Sequence, residues 1–314
     1  MTRSRSPVPF RHRVEFAGFL LFRGLLRVLP AGAARGVGAA LGWLAGSVFR
    51  VRRKVVDRNL SRAFPNASRS WRRRVASASY RHLGRESVMT FLLADASPER
   101  VRAITRVEGL QELEAALARG KGVVVATGHL GNWELGAAAL SARGIPVDAV
   151  VQVQRNRRFD AELRRAREGL GIQVISKSDA PRGVLSSLRR GRLAALVADQ
   201  NVRRAGIFVD FFGIPAATAK GPAIFALRTG APLWAGAALR IPGAGGAYRV
   251  VMCPVRAELT GDQEEDVLRL TRAHTALLEE WVRQEPEQYF WQHNRWKTRP
   301  AIPEPAATRD DIRS

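Results

Sequence analysis

His129 and Glu134 stand five positions apart in the stretch from Gly122 to Leu140, and both are capable of proton chemistry. A neutral imidazole takes a proton from a hydroxyl when one ring nitrogen faces that hydroxyl. A carboxylate bonded to the other nitrogen fixes the tautomer and steadies the imidazolium that forms. Help of this kind is worth roughly 10²–10⁴ in rate. The same residues have a plainer reading, as a satisfied turn histidine and a glutamate that favours a helix N-terminus. Spacing alone leaves both open.

The elements that must hold these residues are legible around them. Val123, Val124, Val125 and Ala126 form an apolar, β-branched run after Gly122, the pattern of a buried parallel strand. Leu135 to Leu140 is rich in alanine and leucine and reads as a helix, with Asn132 its N-cap and Glu134 in its first turn. His129 then lies on a strand-end loop, where an open α/β sheet places its site, and Gly128 and Gly131 let the chain bend there. Further strands are expected at 147–153, 172–175 and 193–198, separated by helices at 159–170 and 181–190. Segments 231–236 and 248–255 read as antiparallel neighbours, and 264–284 as a long helix. This alternation predicts an α/β fold with a mostly parallel central sheet and helices on both faces. Asp199 and Gln200 end the fourth strand and can share a crevice with His129. Arg167 suits a phosphate or a polarised carbonyl, and equally a surface ion pair. Phe208, Phe211 and Phe212 are core residues or the lining of a groove for an acyl chain.

Composition bounds the partners. The chain has 314 residues and is 46% hydrophobic, enough for one large domain to bury a substantial core. Its net charge of +23 points to an anionic partner, whether nucleic acid, anionic lipid or an acidic carrier protein. The single Cys253 excludes an internal disulfide framework and a cysteine-based metal site. A basic arm carries Arg3, Arg5, Arg11 and Arg13. Beyond it, Arg23 and Arg27 share one face of an otherwise apolar helix, a pattern for lying at a membrane interface. The apolar run from Gly36 to Phe49 is 14 residues long, short of the roughly 20 that span a bilayer. A cleavable secretory leader around Ala31 to Ala33 and core packing in a soluble protein are the alternatives. The expected division is an arm with apolar, membrane-associating helices over 1–50, a catalytic domain over 51–300, and a flexible tail over 301–314. Residues 50–74 are heavily basic, either solvated helix faces or a face that contacts phosphate or docks a carrier. The aromatic residues are not interleaved with the basic ones as a nucleic-acid stacking platform requires.

The segment His129-Leu130-Gly131-Asn132-Trp133-Glu134-Leu135 resembles the signature of the lipid A biosynthesis lauroyl/myristoyl acyltransferase family, within the lysophospholipid acyltransferase-like superfamily. Other blocks resemble the family in order and spacing: Asn59-Leu60 with Phe64-Pro65, Arg167 before Gly171, Asp199-Gln200, residues 206–213 with Pro215 and Thr218, and residues 286–300 with His293 and Arg295. The resemblance covers about residues 50 to 300. The amino-terminal segment is less hydrophobic than the family's anchor, and Asp210 stands where the family has an uncharged residue. The resemblance implies transfer of a fatty acyl group from a thioester, on acyl carrier protein or coenzyme A, to a hydroxyl of a lipid A-type precursor. It implies His129 as general base, Glu134 as its orienter, and Asn132, Arg167, Asp199, Gln200, Phe211, Phe212, Thr218 and Arg295 as substrate-binding residues. No metal or further cofactor is implied. The partners it implies are acyl carrier protein, a phosphorylated glycolipid acceptor and an anionic membrane surface, at the cytoplasmic face of a bacterial inner membrane. The alternatives are another glycolipid or aminolipid acceptor, a basic nucleic-acid-binding protein, or a metal-dependent hydrolase using His129, Glu134 and Asp199 as ligands.

Overall fold

A computed structural model describes residues 10–203 and 206–300; the expected tail at 301–314, and Arg3 and Arg5 of the arm, lie outside them. The chain begins with five helices, α1 (Phe10–Val28), α2 (Ala31–Trp43, continued by a wider turn over Leu44–Val48), α3 (Arg53–Ala63), α4 (Arg69–Leu93) and α5 (Pro98–Ile104). Strands and helices then alternate: β1 (Thr105–Glu108), α6 (Leu110–Leu117), β2 (Val123–Gly131), α7 (Trp133–Ser141), β3 (Val147–Val151), α8 (Arg157–Gly169), β4 (Gln173–Ser176), α9 (Ala180–Arg189) and β5 (Leu193–Val197). A hairpin of β6 (Gly206–Phe211) and β7 (Ile214–Ala219) follows, then α10 (Gly221–Thr229), β8 (Leu233–Arg240), β9 (Tyr248–Pro254) and α11 (Gln263–Gln284).

Seven strands form one sheet in the order β1-β9-β8-β2-β5-β3-β4, with only the β8–β9 pair antiparallel. The expected mostly parallel sheet is therefore present, and β2 lies at its centre. Alternation along β2 splits its side chains between two cores. Val123 and Val125 pack with Leu135, Leu140 and Trp234 on one face, while Val124 and Ala126 pack with Leu188, Leu233 and Trp281 on the other. Such double-sided burial is what makes the strand read as continuously apolar.

The amino-terminal helices differ from the expectation in where their arginines go. Among the described residues no helix is long and apolar enough to cross a membrane. Arg23 and Arg27, expected to face an anionic leaflet, are instead ion-paired within the protein to Glu162 on α8 and to Asp95 just after α4. The apolar side of α1 that carries Phe10, Val14, Leu21, Leu25 and Val28 is exposed. Helix α2 meets α4 backbone to backbone. A Cβ at Gly42 would lie 2.0 Å from the Tyr80 carbonyl oxygen, and one at Gly84 would lie 2.1 Å from that of Gly38. Gly38, Gly42 and Gly46 recur every four residues, the small-residue stripe that lets two helices touch along their axes.

Candidate active site

Parallel register brings His129 to its partner. Thr127 on β2 pairs with Val197 on β5, so His129 and Asp199 each lie two residues past the last paired position. Beyond Thr127 the strand slips register against β8 before pairing again at Gly131, and the irregularity turns Gly128, His129 and Leu130 out of the regular ladder. Gly131 must be glycine here: its φ is +64°, and a Cβ would sit 1.9 Å from the Ala238 carbonyl oxygen.

The His129 Nδ1 lies 2.7 Å from Asp199 Oδ1, and the His129 backbone N–H donates to Asp199 Oδ2 at 2.8 Å. Asp199 is buried, and its two oxygens fix both the ring and the backbone of His129. With Nδ1–H directed at the carboxylate, Nε2 carries the free lone pair; the Gln200 Nε2 amide stands 3.3 Å from it, as a donor. The ring is held edge-on to Trp133, with centroids 4.8 Å apart, and lies 5.8 Å from Phe290. Burial disfavours the imidazolium. The charge and hydrogen bond of Asp199, with a contribution from Glu134, overcome this and raise His129 above the ordinary histidine value. Burial likewise opposes the Asp199 carboxylate, but the contacts with His129 and the positive charge of Arg295 hold it below the usual range.

Glu134, expected to orient His129, makes no hydrogen bond to it in the structure. Its carboxylate receives both arms of Arg167, Nε at 2.9 Å and Nη2 at 2.6 Å, a forked pair linking the first turn of α7 to α8. Asp199, in register with His129 two residues beyond the β2–β5 ladder, is the acid that meets the ring, in the position expected of Glu134.

His129 opens on a cleft of about 60 Å³ bounded by one face of α4 and by Trp133, Tyr289 and Phe290. A second histidine–carboxylate pair, His82 and Glu86 on α4, lines the same cleft. Their closest approach is 3.7 Å. Burial pushes His82 down to about 3 and pushes Glu86 up. The Glu86 Oε2 accepts from the Tyr248 hydroxyl at 2.7 Å and from the Asn132 Nδ2 at 3.0 Å. Asn132 is the N-cap of α7, as expected, its Oδ1 accepting from Leu135 N at 2.9 Å. Its own backbone N–H donates to Ala238 O. Sequence reasoning passed over His82, Glu86 and Tyr248, although a histidine and a glutamate four apart on one helix are a readable signal.

Four expected substrate-binding residues lie in the core instead. Phe211 is fully buried and Phe212 nearly so, with their rings 4.9 Å apart; Phe211 faces Tyr289 and Trp296, and Arg283 stacks on Phe212 at 4.3 Å. The physical reason is the β6–β7 hairpin, whose turn folds this block against α11 and the carboxyl-terminal segment. The Thr218 hydroxyl donates to Ala216 O and accepts from Arg295 Nη2, while Arg295 Nη1 donates to Ala217 O at 2.9 Å. Arg295 thereby clasps the hairpin, and its charge still reaches Asp199. The His293 Nε2 accepts from the Asn201 N–H at 3.0 Å. Among the described residues, no three His, Cys, Asp or Glu side chains converge as metal ligands.

Comparison with known proteins gives the chain its class. The chain belongs to the bacterial lipid A biosynthesis acyltransferase family, whose sequence model matches residues 8–298, and it is an acyltransferase. It is 27% identical over 266 residues to the lipid A biosynthesis palmitoleoyltransferase of Escherichia coli, covering 84% of this chain and 85% of that one. It is also 27% identical over 274 residues to the lipid A biosynthesis lauroyltransferase of E. coli (87% and 88%). To the phosphatidylinositol mannoside acyltransferase of Mycolicibacterium smegmatis it is 28% identical over 237 residues (72% and 75%).

Proposed function

We propose that the protein moves a fatty acyl chain from a thioester carried by acyl carrier protein to a hydroxyl of a lipid A-type glycolipid, with His129 as general base and Asp199 as its orienter. The 2.7 Å contact between His129 Nδ1 and the buried Asp199 carboxylate carries this reading. The acceptor hydroxyl replaces the Gln200 amide at Nε2 and gives up its proton as its oxygen attacks the thioester carbonyl. A C–O bond forms, the C–S bond breaks, and the imidazolium returns its proton to the departing thiolate. No serine nucleophile is required. The Asn132 backbone N–H donates to Ala238 O and is not free to hold the developing oxyanion. Of the first α7 amides, that of Leu135 is taken by Asn132 Oδ1, and we assign the oxyanion to those of Trp133 and Glu134, which have no carbonyl partner within the helix. Arg167, fixed by Glu134, suits a phosphate or carboxyl group on a substrate at the neighbouring rim.

The acceptor class rests on the names of the relatives, two acting on lipid A and one on phosphatidylinositol mannoside. The net charge of +23 suits an acidic carrier and a phosphorylated acceptor met at an anionic membrane surface, which we assign to the cytoplasmic face of a bacterial inner membrane. The test is mass spectrometry of lipids after incubating the protein with acyl carrier protein thioester and an under-acylated lipid A precursor. One added acyl mass is expected with the native protein and none with His129→Ala. The same assay with phosphatidylinositol mannoside separates the two acceptors. Equal acylation by native and His129→Ala protein would refute the assigned base.

A further inference from the structure

A second cavity has no part in the acyl-transfer reading. It is a cleft of about 490 Å³, formed by the turn after α2, one face of α3 and the start of α4, and lined by Ser47, Arg50, Arg53, Arg69, Arg72 and Arg73. Asp57, paired with Arg53 at 2.9 Å, is the one acid in its wall. Arg72 is anchored to the Phe64 and Pro65 carbonyls, whereas Arg50, Arg69 and Arg73 make no ion pair among the described residues.

These cations sit where the fold alone would not put them. Arg69, Arg72 and Arg73 occupy the start of α4, against the positive end of its dipole, with no acid in its first turn. Helix α11 is built the other way, with Glu264, Glu265 and Asp266 at its start. Arg50 and Arg52 adopt left-handed backbone, φ +50° and +54°, which strains a side-chain-bearing residue. That strained corner projects Val48, Phe49 and Val51 into solvent, with Phe49 73% exposed. An anion-hungry cleft beside a protruding apolar corner matches the boundary where lipid phosphates meet acyl chains.

We propose that this cleft binds the headgroup phosphate of an anionic membrane lipid while Phe49 enters the apolar layer. This rests on the reading that the enzyme works at a membrane surface, but not on its chemistry. The test uses the full chain carrying His129→Ala, so that no turnover is needed, in cosedimentation with phosphatidylcholine vesicles with and without phosphatidic acid. The protein should favour the acidic vesicles. Arg69→Ala with Arg73→Ala should lose that preference roughly tenfold, and Phe49→Ser should weaken binding to both kinds of vesicle. Arg182→Ala with Arg189→Ala, on α9, removes the same charge elsewhere and should change little; an equal loss in this control overturns the proposal in favour of net charge alone. Thermal melting confirms that each variant folds. In the catalytically intact background, the KM for acceptor dispersed in detergent should be the same with and without the Arg69/Arg73 pair. A raised KM with undiminished vesicle preference overturns the membrane assignment and gives the cleft to the phosphate of the acceptor.

Discussion

Two histidine–carboxylate pairs share one cleft and behave in opposite ways. His129 and Asp199 come from adjacent parallel strands, meet at 2.7 Å, and the histidine is raised. His82 and Glu86 come from neighbouring turns of one helix, stay 3.7 Å apart, and the histidine falls to about 3. Both histidines are desolvated. What separates them is whether a carboxylate aimed at Nδ1 is itself held ionised. The Asp199 carboxylate faces a backbone N–H and lies under the field of Arg295, whereas Glu86 is pushed toward the neutral form and spends one oxygen on Tyr248 and Asn132. A histidine and an acid side by side are therefore not yet a base; the acid must be kept charged.

The largest effects should come from breaking the first pair. Asp199→Asn or His129→Ala should lower kcat about 10²–10⁴-fold without loss of the fold, checked by single-turnover transfer and thermal melting. His82→Leu should cost less than about tenfold in the same assay, since a histidine whose basicity burial lowers to about 3 is a poor proton acceptor. The acid limb of kcat/KM comes next. His129 must be unprotonated to act, so activity should rise with pH through a midpoint above the ordinary histidine value, and Asp199→Asn should move that midpoint down in whatever activity remains. Glu134→Gln, which breaks the pair with Arg167 but leaves Asp199 in place, should cost roughly tenfold, well short of Asp199→Asn. Equal losses would restore Glu134 as the orienter.

The smallest effect is on stability. The His82 value is lowered from 6.5 to about 3, so between these limits the unfolded chain binds the extra proton and the native state does not. Stability that is intact above pH 6.5 should decline as pH falls toward 3, and His82→Leu should flatten part of the decline in denaturant titrations run across that window.

Much of this was readable in the sequence. The β2 run, the Asn132 cap and the alternation that builds a parallel sheet are local patterns, and local patterns survive into the fold. The partnership of His129 was not, because it depends on the register of β2 against β5, seventy residues apart in the chain. Spacing favoured Glu134, the acid nearest in sequence, over Asp199, the acid nearest in space. The phenylalanines at 211 and 212 were equally ambiguous: an apolar residue reads the same whether it faces a lipid or a core, and only the β6–β7 hairpin decides. Arg23 and Arg27 suffered the same fate, since their acids lie on α8 and beyond α4.

The stripe of Gly38, Gly42 and Gly46 has a mechanical consequence. Because α2 meets the α4 backbone at Gly38 and Gly42 and the Tyr80 ring packs against Gly46, the two helices have little room to slide past one another and should move as a single lever. One arm of that lever ends in the Phe49 corner, and the other carries Ser79, His82 and Glu86 into the wall beside His129. A push on the outer corner should therefore shift the wall beside His129.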